Sequence, residues 1–200
     1  MTPQFIGLFR TLPRVVVFCA FFFLSYFAFA QPDNDDPCGA ENLDVEPTCQ
    51  WETYELTDAT GTVGPGDPGC AFYVDNDVWF VFTAPASGAV NIDSSPIDFT
   101  DSGMALYSGT CNALTLVDCD DDGSVNGAMS FLSVNGLIPG TDYFIRFWEF
   151  GGGGTGDFDI CVTEVAAPNC IDCSNATLIS TLPFTGSYTT CGACDNVLDG

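Results

Sequence analysis

Apolar and polar residues alternate along this chain in short runs, and the runs are separated by Gly, Asp, Pro and Ser. The clearest are DVWFVFTA (77–84), GAVNIDSS (88–95), GMALYSG (103–109), LTLVDC (114–119), AMSFLSV (128–134), DYFIRFWEF (142–150) and GDFDICVTEV (156–165). ENLDV (41–45) and WETYEL (51–56) are weaker versions of the same pattern. A period of two places successive side chains on opposite faces of a strand, and no window beyond residue 30 carries a helical period. Regular short strands with turn residues between them predict an all-β domain, an antiparallel sandwich or barrel. DYFIRFWEF departs from strict alternation, being apolar on both faces. The expectation is that one face meets a neighbouring module or a ligand in place of water. Trp79, Tyr143, Phe147, Trp148 and Phe150 accordingly read either as sandwich core or as the lining of a sugar-binding face.

The two ends read differently. Residues 1–30 carry Arg10 and Arg14, then an apolar run of about 16 residues, then Ala28-Phe29-Ala30. That run is short of the ~20 residues a spanning helix needs, and the small-x-small ending is the mark of a cleaved secretory signal. Gln31 is then the first mature residue, the first module spans 31–165, and the product is secreted or held at the cell surface. At AAPN (166–169) the pattern breaks, and residues 166–200 read as a linker and the start of a second, cysteine-bearing module.

Charge sharpens the picture. All 27 acidic residues lie beyond residue 30, where Arg146 is the single cation, so that part carries a net charge of −26 with no lysine and no histidine. Such a surface repels nucleic acid and anionic lipid and favours cations. Arg146 lies inside an apolar strand, which implies a buried pair with a carboxylate across the sheet. Ten cysteines follow residue 30, an even number that reads as disulfides in an exported chain. The expected pairings are Cys49–Cys70, closing the Gly/Pro-rich excursion, and Cys38–Cys161, tying first and last strands. Cys111–Cys119 remains, and needs a bulge to bring its ends together. Cys170, Cys173, Cys191 and Cys194 have zinc-ribbon spacing, but in an exported chain they read as further disulfides.

The densest charge is DCDDDG (118–123). Asp118, Asp120 and Asp122 before Gly123 reproduce the first half of a calcium-loop signature. The position that should carry the closing glutamate is Met129, and strands flank the loop, so it is no EF-hand. If 103–108 and 114–118 form a hairpin turning near Cys111, Asp101 is brought against Asp120, Asp121 and Asp122, with Asp98 in reach. Two like charges ~4 Å apart at an effective dielectric of ~20 repel by about 4 kcal/mol, and a calcium ion would remove that repulsion. The alternative is a solvated acidic turn, its carboxylates splayed into water. Asp75-Asn76-Asp77 reads as a turn and strand start, and GGGGTG (151–156) as a flexible hairpin connection.

Taken in order, DVWFVFTAPASGAVNID, DSGMALYSGTCNALTLVDCDDD, LIPGTDYFIRFWEF and GDFDICV resemble the bacterial pre-peptidase C-terminal-like modules over about residues 75–163. That resemblance implies an antiparallel jelly-roll-type β-sandwich serving as a non-catalytic accessory module of an exported multidomain protein.

Composition limits catalysis. Without histidine or lysine beyond residue 30, Ser-His, Cys-His, His-metal, Ser-Lys and Schiff-base chemistries are closed. Glu52 and Glu55 point to opposite faces of one strand and make no glycosidase pair. Three readings stand: a module binding extracellular polysaccharide or a surface protein, a spacer between adjacent modules of the same chain, and the N-terminal part of a secreted hydrolase whose catalytic domain lies beyond residue 200.

Overall fold

The computed structural model describes residues 31–166. The expected signal segment, the expected second module and Cys170, Cys173, Cys191 and Cys194 lie outside the described residues.

The strands fall where the alternation places them. They are β1 (Glu41–Asn42), β2 (Val45–Glu46), β3 (Glu52–Glu55), β4 (Asp77–Thr83) and β5 (Val90–Pro96). Then follow β6 (Ser102–Thr110), β7 (Ala113–Asp120), β8 (Phe131–Val134), β9 (Asp142–Glu149) and β10 (Asp157–Glu164). Two sheets form, ordered β1-β4-β9-β6-β7 and β2-β10-β5-β8, with β3 also on β10. Most pairings are antiparallel, but β1 joins β4 and β2 joins β10 in parallel. Both sheets are therefore mixed, a difference from the antiparallel expectation confined to the two shortest strands.

The core lies between the sheets. Val78, Phe80 and Phe82 of β4, Met104 and Leu106 of β6, and Ile145 and Phe147 of β9 meet Val90, Ile92, Phe158 and Ile160 from the opposite sheet. Phe147 stacks on Phe158 with ring centroids 4.0 Å apart. Each such side chain, removed from water, contributes roughly 1.5–3 kcal/mol.

The outer face of β4, β9 and β6 is also dry, which accounts for the two-sided apolar character of DYFIRFWEF. The segment between β3 and β4 folds back over it, so that Ala71 and Tyr73 join Trp79, Ala105, Tyr107 and Trp148 in a second cluster. The covering that was expected from a neighbouring module or ligand comes from the chain's own Gly/Pro-rich excursion. Trp79, Tyr143, Phe147 and Trp148 are all buried, whereas Phe150 is partly exposed.

Arg146 pins this cover. Its Nε donates to Asp77 Oδ2 at 2.6 Å, and neither side chain touches solvent. Its remaining nitrogens donate to the Gly66 and Thr62 carbonyls, at 2.6 and 3.3 Å. Burial opposes the guanidinium charge, but the Asp77 carboxylate outweighs it and holds the pKa above the ordinary arginine value. Tyr73 lies under the guanidinium, 4.0 Å from ring centroid to Cζ. Its phenol is pushed up to about 12, first by burial and then by the charge of Asp77.

All six cysteines of the module are paired, but as Cys38–Cys111, Cys49–Cys161 and Cys70–Cys119. None of the three expected pairings is correct, and the topology explains why. The β2 and β3 strands share one edge of β10, so Cys49 in the loop between them hangs over Cys161. The β6–β7 register does slip between Leu106 and Tyr107, leaving Val117 unpaired. That bulge is too small to fold an eight-residue strand back on itself, and Cys111 and Cys119 stay at opposite ends of β7. A second correction concerns GGGGTG. The strands β9 and β10 belong to different sheets, so this segment crosses between sheets and is no hairpin. Gly151, Gly152 and Gly153 have φ of 84, 75 and 86°, a conformation that side chains disfavour.

Candidate functional site

The hairpin of β6 and β7 places Asp101 and the residues after β7 at the same end of the sheet. Met104 pairs with Asp120, so the residues just outside the ladder, Asp101 on one side and Asp121 and Asp122 on the other, are neighbours. Asp101 is fixed from three directions. It bridges to Ala128, its carbonyl accepts the Phe150 N–H at 3.2 Å, and the following Ser102 is buried against Ser130 with hydroxyl oxygens 3.0 Å apart.

One carboxylate oxygen from each of Asp101, Asp121 and Asp122 can lie within 4.8 Å of the others. Asp101 Oδ1 and Asp121 Oδ1 are shielded from solvent and receive no hydrogen bond. Burial raises the Asp101 pKa, and Asp122 adds to it. Burial likewise raises Asp121, followed by the charges of Asp122, Asp101 and Asp120. Glu149 is raised by burial and then by Asp101. The arrangement favours a proton or a cation at this point.

The remaining acids are engaged elsewhere. Asp120 Oδ2 accepts the Gly123 N–H at 2.7 Å and the Phe131 N–H at 2.9 Å, fastening the turn to β8. Asp118 accepts from the Cys119 N–H and faces water. Asp98 accepts from the Asp157 N–H beside β10. Asp77 of the Asp75-Asn76-Asp77 turn begins β4 and faces Arg146, while Asn76 takes φ of 64°.

Glu149 is the residue that sequence reasoning missed. It stands opposite Ser102 in the β6–β9 register, and so next to Asp101. Only the knowledge that β9 neighbours β6 could have revealed it. Beside the acids, a groove of about 390 Å³ is lined by Phe72 and Phe150, with Asp67 and Asp121 among its walls.

The described residues thus form a two-sheet β-sandwich with an acid-lined end. The chain belongs to the galactose binding domain-like (T9SS-associated) family, whose model matches residues 33–152. Among solved structures it is similar to the pre-peptidase C-terminal domain of a collagenase from Bacillus anthracis, at 11% identity and a TM-score of 0.40, covering 62% of this chain and 93% of that one. It is also similar to the Yersinia pseudotuberculosis-derived mitogen, at 10% identity and a TM-score of 0.40, covering 69% of this chain and 99% of that one. No curated protein matches the chain. Among the described residues, no helix is long and apolar enough to cross a membrane.

Proposed function

We propose that this chain is a non-catalytic accessory module of an exported protein, one that attaches its parent to an extracellular polysaccharide or surface protein and is stabilised by calcium. The observation carrying the reading is the family match, which spans the sandwich from before β1 to beyond β9. A T9SS-associated family label and three disulfides support secretion or surface display.

Calcium rests on the Asp101–Asp121–Asp122 group. Hard carboxylate oxygens from two separate segments, two of them without any donor, suit a large hard cation with a flexible shell. Glu149 stands close enough to add its charge. Asp118 and Asp120 stand outside this group of three, and one oxygen of each accepts backbone N–H groups. Bound there, the ion would tie the start of β6 to the turn after β7 and hold the module's acid end rigid.

The test compares thermal midpoints in calcium and in chelator at fixed ionic strength. Calcium should raise the midpoint, and Asp121→Asn with Asp122→Asn should remove that gain. Identical melting of the wild-type protein in both buffers would dispose of the metal. Attachment is read by pull-down on insoluble polysaccharides and on surface-protein fractions, and retention on neither would leave only a spacer.

A further inference from the structure

The groove beside the acid cluster has features that its structural surroundings do not require. Phe72 is 61% exposed and Phe150 40%, with Val74 at 49% beside them, whereas the other aromatic residues of β4, β6 and β9 are largely withdrawn from water. The two rings stand 5.9 Å apart at 51°. They are held in place from below. The Gly151 N–H donates to the Phe72 carbonyl at 2.9 Å, the Phe150 N–H to Asp101, and the Cys70–Cys119 disulfide ties the loop to β7. Exposed apolar side chains on a fixed backbone, rimmed by charge, mark an interaction surface.

The rim selects the occupant. Asp67 and Asp121 stand in the groove wall, and the only cation among the described residues, Arg146, is fully buried elsewhere. Asp67 uses one oxygen on the Gly69 N–H and keeps the other free. The lining side chains thus present carboxylate acceptors and ring faces, and no cationic or amide donor. Ring faces and carboxylates both attract a cation. An anionic ligand is repelled, and a neutral sugar finds no side-chain donor for its own acceptors.

We propose that this groove docks a partner protein through an arginine or lysine presented on an apolar segment. The basic head group would lie between the rings and the Asp67 and Asp121 carboxylates, and its apolar flanks would cover Val74 and the ring edges. Arginine fits best, because its planar guanidinium stacks on a ring while donating in its own plane. This inference rests on the attachment reading above; Asp121 is shared with the proposed calcium site, so a bound ion would weaken docking, leaving Asp67 and the two rings to hold the head group.

The experiment is fluorescence anisotropy with a short fluorescein-labelled peptide carrying one arginine between leucines, titrated with the full chain in calcium and in chelator. The expected result is saturable binding in chelator that is weaker in calcium, where the ion occupies Asp121, and that falls about tenfold when citrulline replaces the arginine and about tenfold by Phe72→Ala or Phe150→Ala. Asp67→Asn, which keeps the acceptor for Gly69, should weaken it about threefold, and Val63→Ala at a distant exposed site should change nothing. Equal affinity for the citrulline peptide would overturn the proposal, as would peptide binding indifferent to both phenylalanine variants, which would mark diffuse surface charge. No peptide binding, alongside polysaccharide retention that Phe72→Ala abolishes, would make the groove a sugar site and leave the attachment reading intact. Loss of retention on polysaccharide and surface protein alike would end that reading too.

Discussion

Replacing Arg146 with methionine tests how the outer face of the sandwich is held. The substitution keeps an unbranched apolar stem and removes the guanidinium, so Asp77 Oδ2 loses its partner inside a site closed to water. Asp77 Oδ1 keeps the Thr62 N–H at 2.8 Å and the Tyr73 hydroxyl at 3.2 Å, which softens the loss. Removing one member of a buried pair costs about 3–5 kcal/mol, and the Gly66 and Thr62 carbonyls lose their donors as well, at about 1 kcal/mol each. With the retained bonds set against these losses, a net loss of about 4 kcal/mol is expected, a large share of the ~5–15 kcal/mol typical of a domain. Urea unfolding of the oxidised protein, followed by tryptophan emission because Trp79 lies under the cover, measures it. Arg146→Met combined with Asp77→Asn removes both charges, keeps an oxygen acceptor for Thr62 and Tyr73, and should recover about half of the loss. A single variant within about 1 kcal/mol of wild type would refute the claim that this pair holds the excursion down, and so would a double variant no better than the single.

Other outcomes follow from the same geometry. In chelator, Asp101, Asp121 and Glu149 titrate above their ordinary values in the folded state. Between the ordinary and raised values the folded protein holds more protons than the unfolded chain, so stability falls as pH rises through that window. Acidifying from neutral pH should therefore raise the melting temperature in chelator, and Asp121→Asn should flatten that response. Asp120→Ala removes the acceptor for two backbone N–H groups and should cost about 1–3 kcal/mol in denaturant unfolding, equally with and without calcium. Gly103→Ala should destabilise by about 1–3 kcal/mol or more, because a Cβ there would run into the Trp148 ring and lie 2.6 Å from Ala71 Cβ; a normal melting temperature would contradict that packing.

The strands were legible because each is a short apolar or alternating run bounded by turn residues: the runs 77–84, 103–109 and 142–150 became β4, β6 and β9. Sheet membership was not, since it depends on which distant strand lies alongside. That is why the cysteine pairings came out wrong, and why Gly151–Gly153 read as a hairpin. The buried partner of Arg146 was expected from its apolar strand, although Asp77 in particular was read only as part of a turn and strand start. The meeting of Asp101 with Asp121 and Asp122 was readable as local hairpin closure. Within the cluster, the spacing Asp118, Asp120, Asp122 read as half of a calcium-loop signature, but β7 ends at Asp120, and the turn brings Asp121 and Asp122 to Asp101. Glu149 came from a third strand and carried no local signal.

The parallel pairings of β1 and β2 have a consequence for the order in which the chain assembles. Both strands lie near the N-terminal end, yet their partners are β4 and β10, and Cys49 waits for Cys161, 112 positions later. A polypeptide emerging N-terminus first would hold β1 idle until β4 appears and β2 idle until β10 arrives. Such long-range closure is slow. Any chain halted short of β10 would be left with an unpaired β2 and a free thiol at Cys49, two marks by which quality control could tell an unfinished copy from a finished one.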